Sequence, residues 1–276
     1  MSAVYVHGGV SATEAPRHSL ARAIEVAVTK ATALDAVEAA VRVLEDDPAL
    51  NAGYGAVLTR DGLLELDAGI ADGASERAAG VAGIAIRHPI TMARRVLERT
   101  PHVLIVGQGA ARLAADLGLE PLTETTPEQH ESWREATARG LHHETVGAVA
   151  LDENGNLCAA SSTGGVFGKM SGRVGDSPVF GAGIYASAKA AAVGTGIGEN
   201  FLQSLACARV GRLIEDGVDS QSACEETIEL LQVRFRGEGG VLALDSEGRV
   251  GASYTGASWD VEGPTGSVQA ARRARR

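Results

Sequence analysis

Cysteine is scarce. Cys158, Cys207 and Cys224 are odd in number and far apart, with neither a disulfide framework nor the spacing of a metal-ligand set, so they read as reduced packing residues. No apolar stretch approaches the roughly 18 to 20 residues of a membrane span, and the opening residues lack the basic start and apolar run of a signal peptide. The expected location is the cytoplasm. Positive charge is also short: the net charge of -10 argues against nucleic acid or an anionic membrane as the main partner and favours a small molecule. Apolar material is ample. Hydrophobic residues make up 45% of the 276, enough for a sizeable core in one large domain or two small ones.

Strands and helices follow one another in pairs and runs. Residues 3–6 alternate as a strand and enter His7-Gly8-Gly9, expected to be a tight loop in which His7 is structural. Thr32 and Asp35 form a capping-box-like start, after which Leu34, Val37, Val41 and Leu44 repeat at helical spacing. Pro48 and the glycines at 53 and 55 then force the backbone to turn. A strand over 63–70 leads to Asp72, a turn former; a strand over 80–86, a helix over 90–99, a strand over 102–106 and a helix ending at Gly118 come next. Residues from about 120 to 144 read as an exposed polar linker with one helix near 128–139 and solvated His142 and His143.

Asn154-Gly155 between apolar runs at 145–151 and 157–162 is a hairpin signal, repeated around residues 245–248. Helices are expected over 199–216 and 221–233, and residues 269–276 are expected to be a disordered basic tail. Taken alone, this pattern supports a layered α/β class with antiparallel hairpins in its core.

The chemistry concentrates at and after Thr145. Downstream lie Ser162-Thr163-Gly164-Gly165, Lys169, Gly172-Arg173-Val174-Gly175-Asp176-Ser177-Pro178 and Gly194-Thr195-Gly196-Ile197-Gly198-Glu199: hydroxyls, one arginine, one aspartate and flexible backbone. A threonine hydroxyl needs a base, and no histidine follows Thr145 to supply one. Cutting the Glu144–Thr145 bond would supply one, an α-amino group of pKa roughly 7.7 to 8.0 on the nucleophile itself. Arg173 and Asp176 could meet a substrate carboxylate and its α-ammonium, or simply each other.

These motifs closely resemble the plant-type L-asparaginases, or isoaspartyl aminopeptidases, of the N-terminal-nucleophile hydrolase superfamily, from His7 to about Thr255. The resemblance implies a four-layer αββα sandwich of mostly antiparallel sheets, one domain over 1–276, cut by itself into 1–144 and 145–276. It implies Thr145 as nucleophile, Thr163 orienting it, and the Thr195 hydroxyl with the Gly196 N–H stabilising the oxyanion. Arg173 and Asp176 would clamp the substrate, with Gly198 allowing close approach, Asn51 beside the nucleophile, and Lys169 structural as an exposed loop lysine. A sodium ion would sit among the main-chain carbonyls of Glu45, Asp47, Leu50, Ala52 and Tyr54; catalysis would need no cofactor. The expected assembly is a dimer of cleaved heterodimers, and the expected substrates are L-asparagine and β-aspartyl dipeptides. Two alternatives are a glycosylasparaginase and, from another class, a catalytically silent amino-acid-binding protein.

Overall fold

The computed structural model describes residues 3–11, 17–135 and 145–273. Its first part contains β1 (Ala3–Ser11), α1 (Arg17–Ala27), α2 (Ala33–Glu45), β2 (Leu66–Asp72), β3 (Arg77–Ile84), α3 (Pro89–Arg99), β4 (Leu104–Val106), α4 (Gly107–Asp116) and α5 (Pro127–Arg134). After Thr145 come β5 (Val146–Leu151), β6 (Leu157–Thr163), β7 (Ile184–Ala186), β8 (Ala190–Gly196), α6 (Gly198–Ser204), α7 (Ala206–Glu215) and α8 (Ser220–Phe235). The hairpin β9 (Gly239–Asp245) and β10 (Val250–Thr255) follows, and then β11 (Ser258–Gly263).

An eight-stranded sheet runs Gly266–Ser267, β11, β1, β5, β6, β2, β3, β4, and a five-stranded sheet runs Ala271–Arg272, β10, β9, β8, β7. Pairing is antiparallel except between β3 and β4 and between β10 and Ala271–Arg272. Alternation along each strand divides the core into layers. Val146, Ala148 and Ala150 of β5 face α1 to α4, whereas Val149 and Leu151 face Val193, Leu242 and Leu244 of the second sheet. The outer face of that sheet packs Ala192, Val241 and Ala243 against Phe201, Val210 and Ile228 of the later helices. The resulting order, helices, sheet, sheet, helices, is the expected αββα sandwich.

Local signals account for most elements. The Thr32 side chain accepts from Asp35 N at 3.1 Å, so the polar start anticipated for α2 caps it in fact. Asp72 accepts from Ala74 N and Ser75 Oγ and closes the β2–β3 turn. Both Asx-led hairpins form, with Asp152 and Asp245 each accepting main-chain N–H groups of the turn. Helix α1 was not anticipated, although Leu20, Ala23, Ile24 and Ala27 fall at helical spacing and are buried.

Four expectations need correction. His7-Gly8-Gly9 is not a loop: β1 continues to Ser11, with an irregularity in its pairing to β11 between His7 and Val10. The helix expected over 199–216 breaks at Leu205, where φ is 50°, because Cys207 N and Ala208 N bond to Ala182 O and Gly181 O instead of extending α6. Ala271–Arg272, placed in a disordered tail, pairs with β10, whose outer edge would otherwise be open. The expected linker begins with a docked helix. Thr125 Oγ1 donates to Ala56 O at 2.7 Å, Gln129 to Gly55 O and Trp133 Nε1 to Arg60 O at 3.3 Å. Residues 136–144, including His142, His143 and Glu144, and residues 274–276 lie outside the described residues. No helix among the described residues is long and apolar enough to cross a membrane.

Phe201 is fully buried, and its ring lies where a Cβ on Gly194 or Gly239 would be. Phe201→Ala should cost about 3–5 kcal/mol of unfolding free energy, read from urea denaturation.

Candidate active site

The same alternation that builds the core aims the hydroxyls. Leu157 and Ala159 of β6 and Ala191 and Val193 of β8 face the space between the sheets, so Thr163 and Thr195, at even spacing from them, face it too. Thr145, one residue ahead of β5, joins them at the end of that space. Thr145 Oγ1 donates to Thr163 Oγ1 at 3.2 Å, and Thr145 N donates to Thr195 Oγ1 at 3.4 Å. All three are buried. Two sheets thus bring together threonines 18 and 50 residues from the nucleophile candidate.

Thr163 is itself anchored, since Gly165 N donates to its Oγ1 at 2.9 Å. Asn51 braces that turn from the opposite side: its Nδ2 donates to Gly165 O at 2.7 Å, its Oδ1 accepts from Val57 N at 3.0 Å, and its carbonyl accepts from Gly164 N at 2.8 Å. A Cβ on Gly164 would collide with Asn51 Oδ1. Asn51 therefore lies beside the Thr163 turn, with its amide bonded to main chain.

The Gly172–Pro178 loop brings charge to the slot. Arg173 forms a two-pronged ion pair with Glu199, Nε to Oε1 at 3.0 Å and Nη2 to Oε2 at 2.9 Å, so its salt bridge is not to Asp176. Asp176 is buried, and its Oδ2 has no hydrogen-bond partner among the described residues. Desolvation pushes its pKa up to about 7, against the pull of Arg173. Gly198 lies between the two: a Cβ there would come within 2.8 Å of both Arg173 Nη2 and Asp176 Oδ1. Gly196 closes β8 at φ 133°, where a Cβ would strike the Glu238 carbonyl.

Of the supporting residues, Lys169 differs from expectation. Lys169 is buried rather than exposed and donates through Nζ to the Glu65 carbonyl, with burial holding its pKa down. His7 packs beneath Gly147, where a Cβ would meet its Nε2, and 5.5 Å from the Trp259 ring. Burial lowers its pKa to about 3, with the Thr145 main chain acting in the opposite direction, so the imidazole is neutral and carries no charge for catalysis. Glu199 and the buried Asp67, which touches the same loop, were not singled out from the sequence. Both sit in motifs that look like ordinary helix-start and strand residues.

A family model described as asparaginase matches residues 7–261. The chain belongs to the asparaginase family. It is 45% identical over 243 residues to the isoaspartyl peptidase of Salmonella typhimurium, covering 81% of this chain and 78% of that one. It is 39% identical over 282 residues to the plant-type L-asparaginase of Pyrococcus abyssi, covering 91% and 92%. To the isoaspartyl peptidase/L-asparaginase of Rattus norvegicus it is 39% identical over 281 residues, 92% and 84% of the two chains. Within this asparaginase-family fold, the Glu45–Tyr54 loop supplies neutral oxygens in quantity. The carbonyls of Asp47, Pro48 and Leu50 converge on the space a Gly55 Cβ would fill, and that of Glu45 on the corresponding space at Gly53. Ala52 O and Tyr54 O also accept hydrogen bonds, from Gly55 N and Thr125 Oγ1.

Because Gly198 leaves no room for a methyl between the two charged groups, Gly198→Ala should raise KM about tenfold or more and lower stability by about 1–3 kcal/mol. Steady-state kinetics and thermal unfolding on one preparation check both parts.

Proposed function

We propose that this chain is a threonine amidohydrolase that cuts itself between Glu144 and Thr145 and then hydrolyses L-asparagine and β-aspartyl dipeptides. The observation that carries the reading is the convergence of the Thr145, Thr163 and Thr195 hydroxyls, in a chain whose buried Asp176 keeps one carboxylate oxygen without a partner among the described residues. The names of the relatives support asparagine and β-aspartyl peptides over a glycosylated asparagine as substrates.

In the precursor, the Thr145 hydroxyl adds to the Glu144 carbonyl; the C–N bond breaks, its nitrogen takes the hydroxyl proton, and water hydrolyses the resulting ester. Thr145 then carries a free α-amine. In turnover that amine takes the proton from its own hydroxyl, and the oxygen adds to the substrate's side-chain carbonyl. Thr163, fixed by Gly165 N, holds the hydroxyl in line. The Thr195 hydroxyl and the Gly196 N–H stabilise the oxyanion, a contribution of about 2.7–4 kcal/mol per donor in well-studied hydrolases. Ammonia or an amino acid leaves with the proton, and water releases aspartate from the ester. Arg173, oriented by Glu199, receives the substrate carboxylate, and Asp176 receives its α-ammonium, which ends the isolation of that carboxylate.

A sodium ion would be held by main-chain oxygens of the Glu45–Tyr54 loop, among them those of Asp47 and Leu50, which converge near Gly55, and that of Glu45 near Gly53; the ion would stiffen the loop that carries Asn51. The assembly we propose is a dimer of cleaved heterodimers.

Intact mass under denaturing conditions tests the nucleophile. Two fragments meeting between Glu144 and Thr145 are expected from the parent and a single uncut chain from Thr145→Ala; an uncut parent after long incubation would sink the reading. Asp176 gives a pH signature. With its pKa near 7 in the empty site, protonation on going from pH 8 to pH 6 removes the partner of the substrate ammonium, so KM rises as pH falls. Asp176→Asn should raise KM about tenfold to a hundredfold and abolish that KM dependence, whereas the kcat profile, set by the Thr145 amine, keeps its acid limb.

A further inference from the structure

Asp67 is a fully buried acid that the mechanism above does not use. It lies on β2 with its side chain on the face between the sheets, directly opposite Thr163 in the β2–β6 register. Side chains so paired have Cβ atoms about 4.5–5.5 Å apart. On its other flank the β2–β3 pairing slips between Leu66 and Ala68, and Gly83, at φ 64°, turns its N–H out of the ladder onto Asp67 Oδ1 at 3.1 Å. Irregularities of this kind recur next to active sites, where they re-aim single groups.

The second oxygen, Oδ2, accepts from Gly175 N at 2.9 Å. Gly175 sits between Arg173 and Asp176 in the chain, and a Cβ on it would lie 2.9 Å from Arg173 Nη1 and 3.7 Å from Asp67 Oδ2. The surroundings supply charge as well as donors. Burial raises the Asp67 pKa, while Lys169, the two main-chain N–H groups and Arg173 all oppose that rise. The same Lys169 is fastened to the Glu65 carbonyl, two residues before Asp67. Glu65, just ahead of β2, and Asp67 within it thus hold the 169–175 segment at two points.

We infer that Asp67 is a positioning residue: its carboxylate fastens the Gly175 main chain to β2, beside Thr163, and so sets where Arg173 and Asp176 stand relative to the nucleophile. The clamp roles of those two residues come from the function proposed above. Asp67 touches neither substrate nor reacting atoms; it acts through the loop. Asparagine in its place keeps the shape but offers a single acceptor oxygen, and turns an N–H donor towards one of the two N–H groups.

The test compares Asp67→Asn with the parent in four readouts: calorimetric binding of L-aspartate, steady-state kinetics, rate of self-cleavage and melting temperature. Loss of a charge-assisted bond at the loop should weaken L-aspartate binding and raise KM about tenfold or more, with kcat and self-cleavage within about threefold of the parent. Unchanged L-aspartate affinity would overturn the inference. So would a fall in affinity matched by equal losses in self-cleavage and melting temperature, since that is what a purely structural residue produces. If the parent proves inactive on every amide, the proposed function falls, and the L-aspartate comparison still decides the role of Asp67. If the parent does not bind L-aspartate, the clamp and this role fall together. Should Asp67→Asn fail to fold, the parent labelled with isotopic glycine is read by NMR: the Gly175 amide proton is expected well downfield, as for a carboxylate-bound amide, and an unshifted resonance overturns the inference.

Discussion

The close approach of the Gly172–Pro178 loop to two strands of the first sheet is the constraint on which everything else rests. A Cβ on Gly69 or Gly80 would collide with the main chain of Ser177 or Pro178. That clearance lets the Gly172–Pro178 loop lie directly on β2 and β3 instead of standing off in solvent. Two consequences follow from one geometry. The loop's charged residues are carried below the surface, and the open end of the gap becomes a slot into which the inward-facing residues of β5, β6 and β8 project.

Burial then sets the electrostatics. Asp67, Lys169 and Asp176 are all buried around the better-solvated pair of Arg173 and Glu199, and desolvation moves the first three towards their neutral forms. The attraction between Asp67 and Lys169 pulls the other way, whereas Asp67 pushes the Asp176 pKa up further. A carboxylate with one oxygen unpartnered is costly to keep in such a place, which is why Asp176 is the group best matched to a cationic ligand. His7, equally buried and opposed only by the Thr145 main chain, is simply neutral. In the mechanism proposed above, proton transfer at the nucleophile accordingly falls to a group on Thr145 itself.

Much of this was legible from residues alone. The Thr32 cap, the Asp152 and Asp245 hairpins and the alternating runs of β5, β6 and β9 are local effects, in which each residue's propensity and its neighbours at two, three or four positions suffice. Helix α1 shows the same spacing but was passed over. The break at Leu205 and the pairing of Ala271–Arg272 were not legible, because each is decided by a partner distant in the chain, the Gly181–Ala182 carbonyls in one case and the open edge of β10 in the other. Tertiary contact overrode local preference at both places.

The site divides along the same line. The sequence by itself determined the candidate groups: a threonine at a strand entrance with no histidine after it, further threonines in glycine-flanked turns, and an arginine and aspartate three apart. Only the tertiary structure decided that Arg173 turns to Glu199 and leaves Asp176 unpaired, that Lys169 is buried, and that Asp67 stands opposite Thr163. The reason is physical. Which hydroxyls a strand can present follows from its two-residue period, a property of the local chain, whereas the partner and protonation state of a charge depend on what surrounds it once water has been excluded.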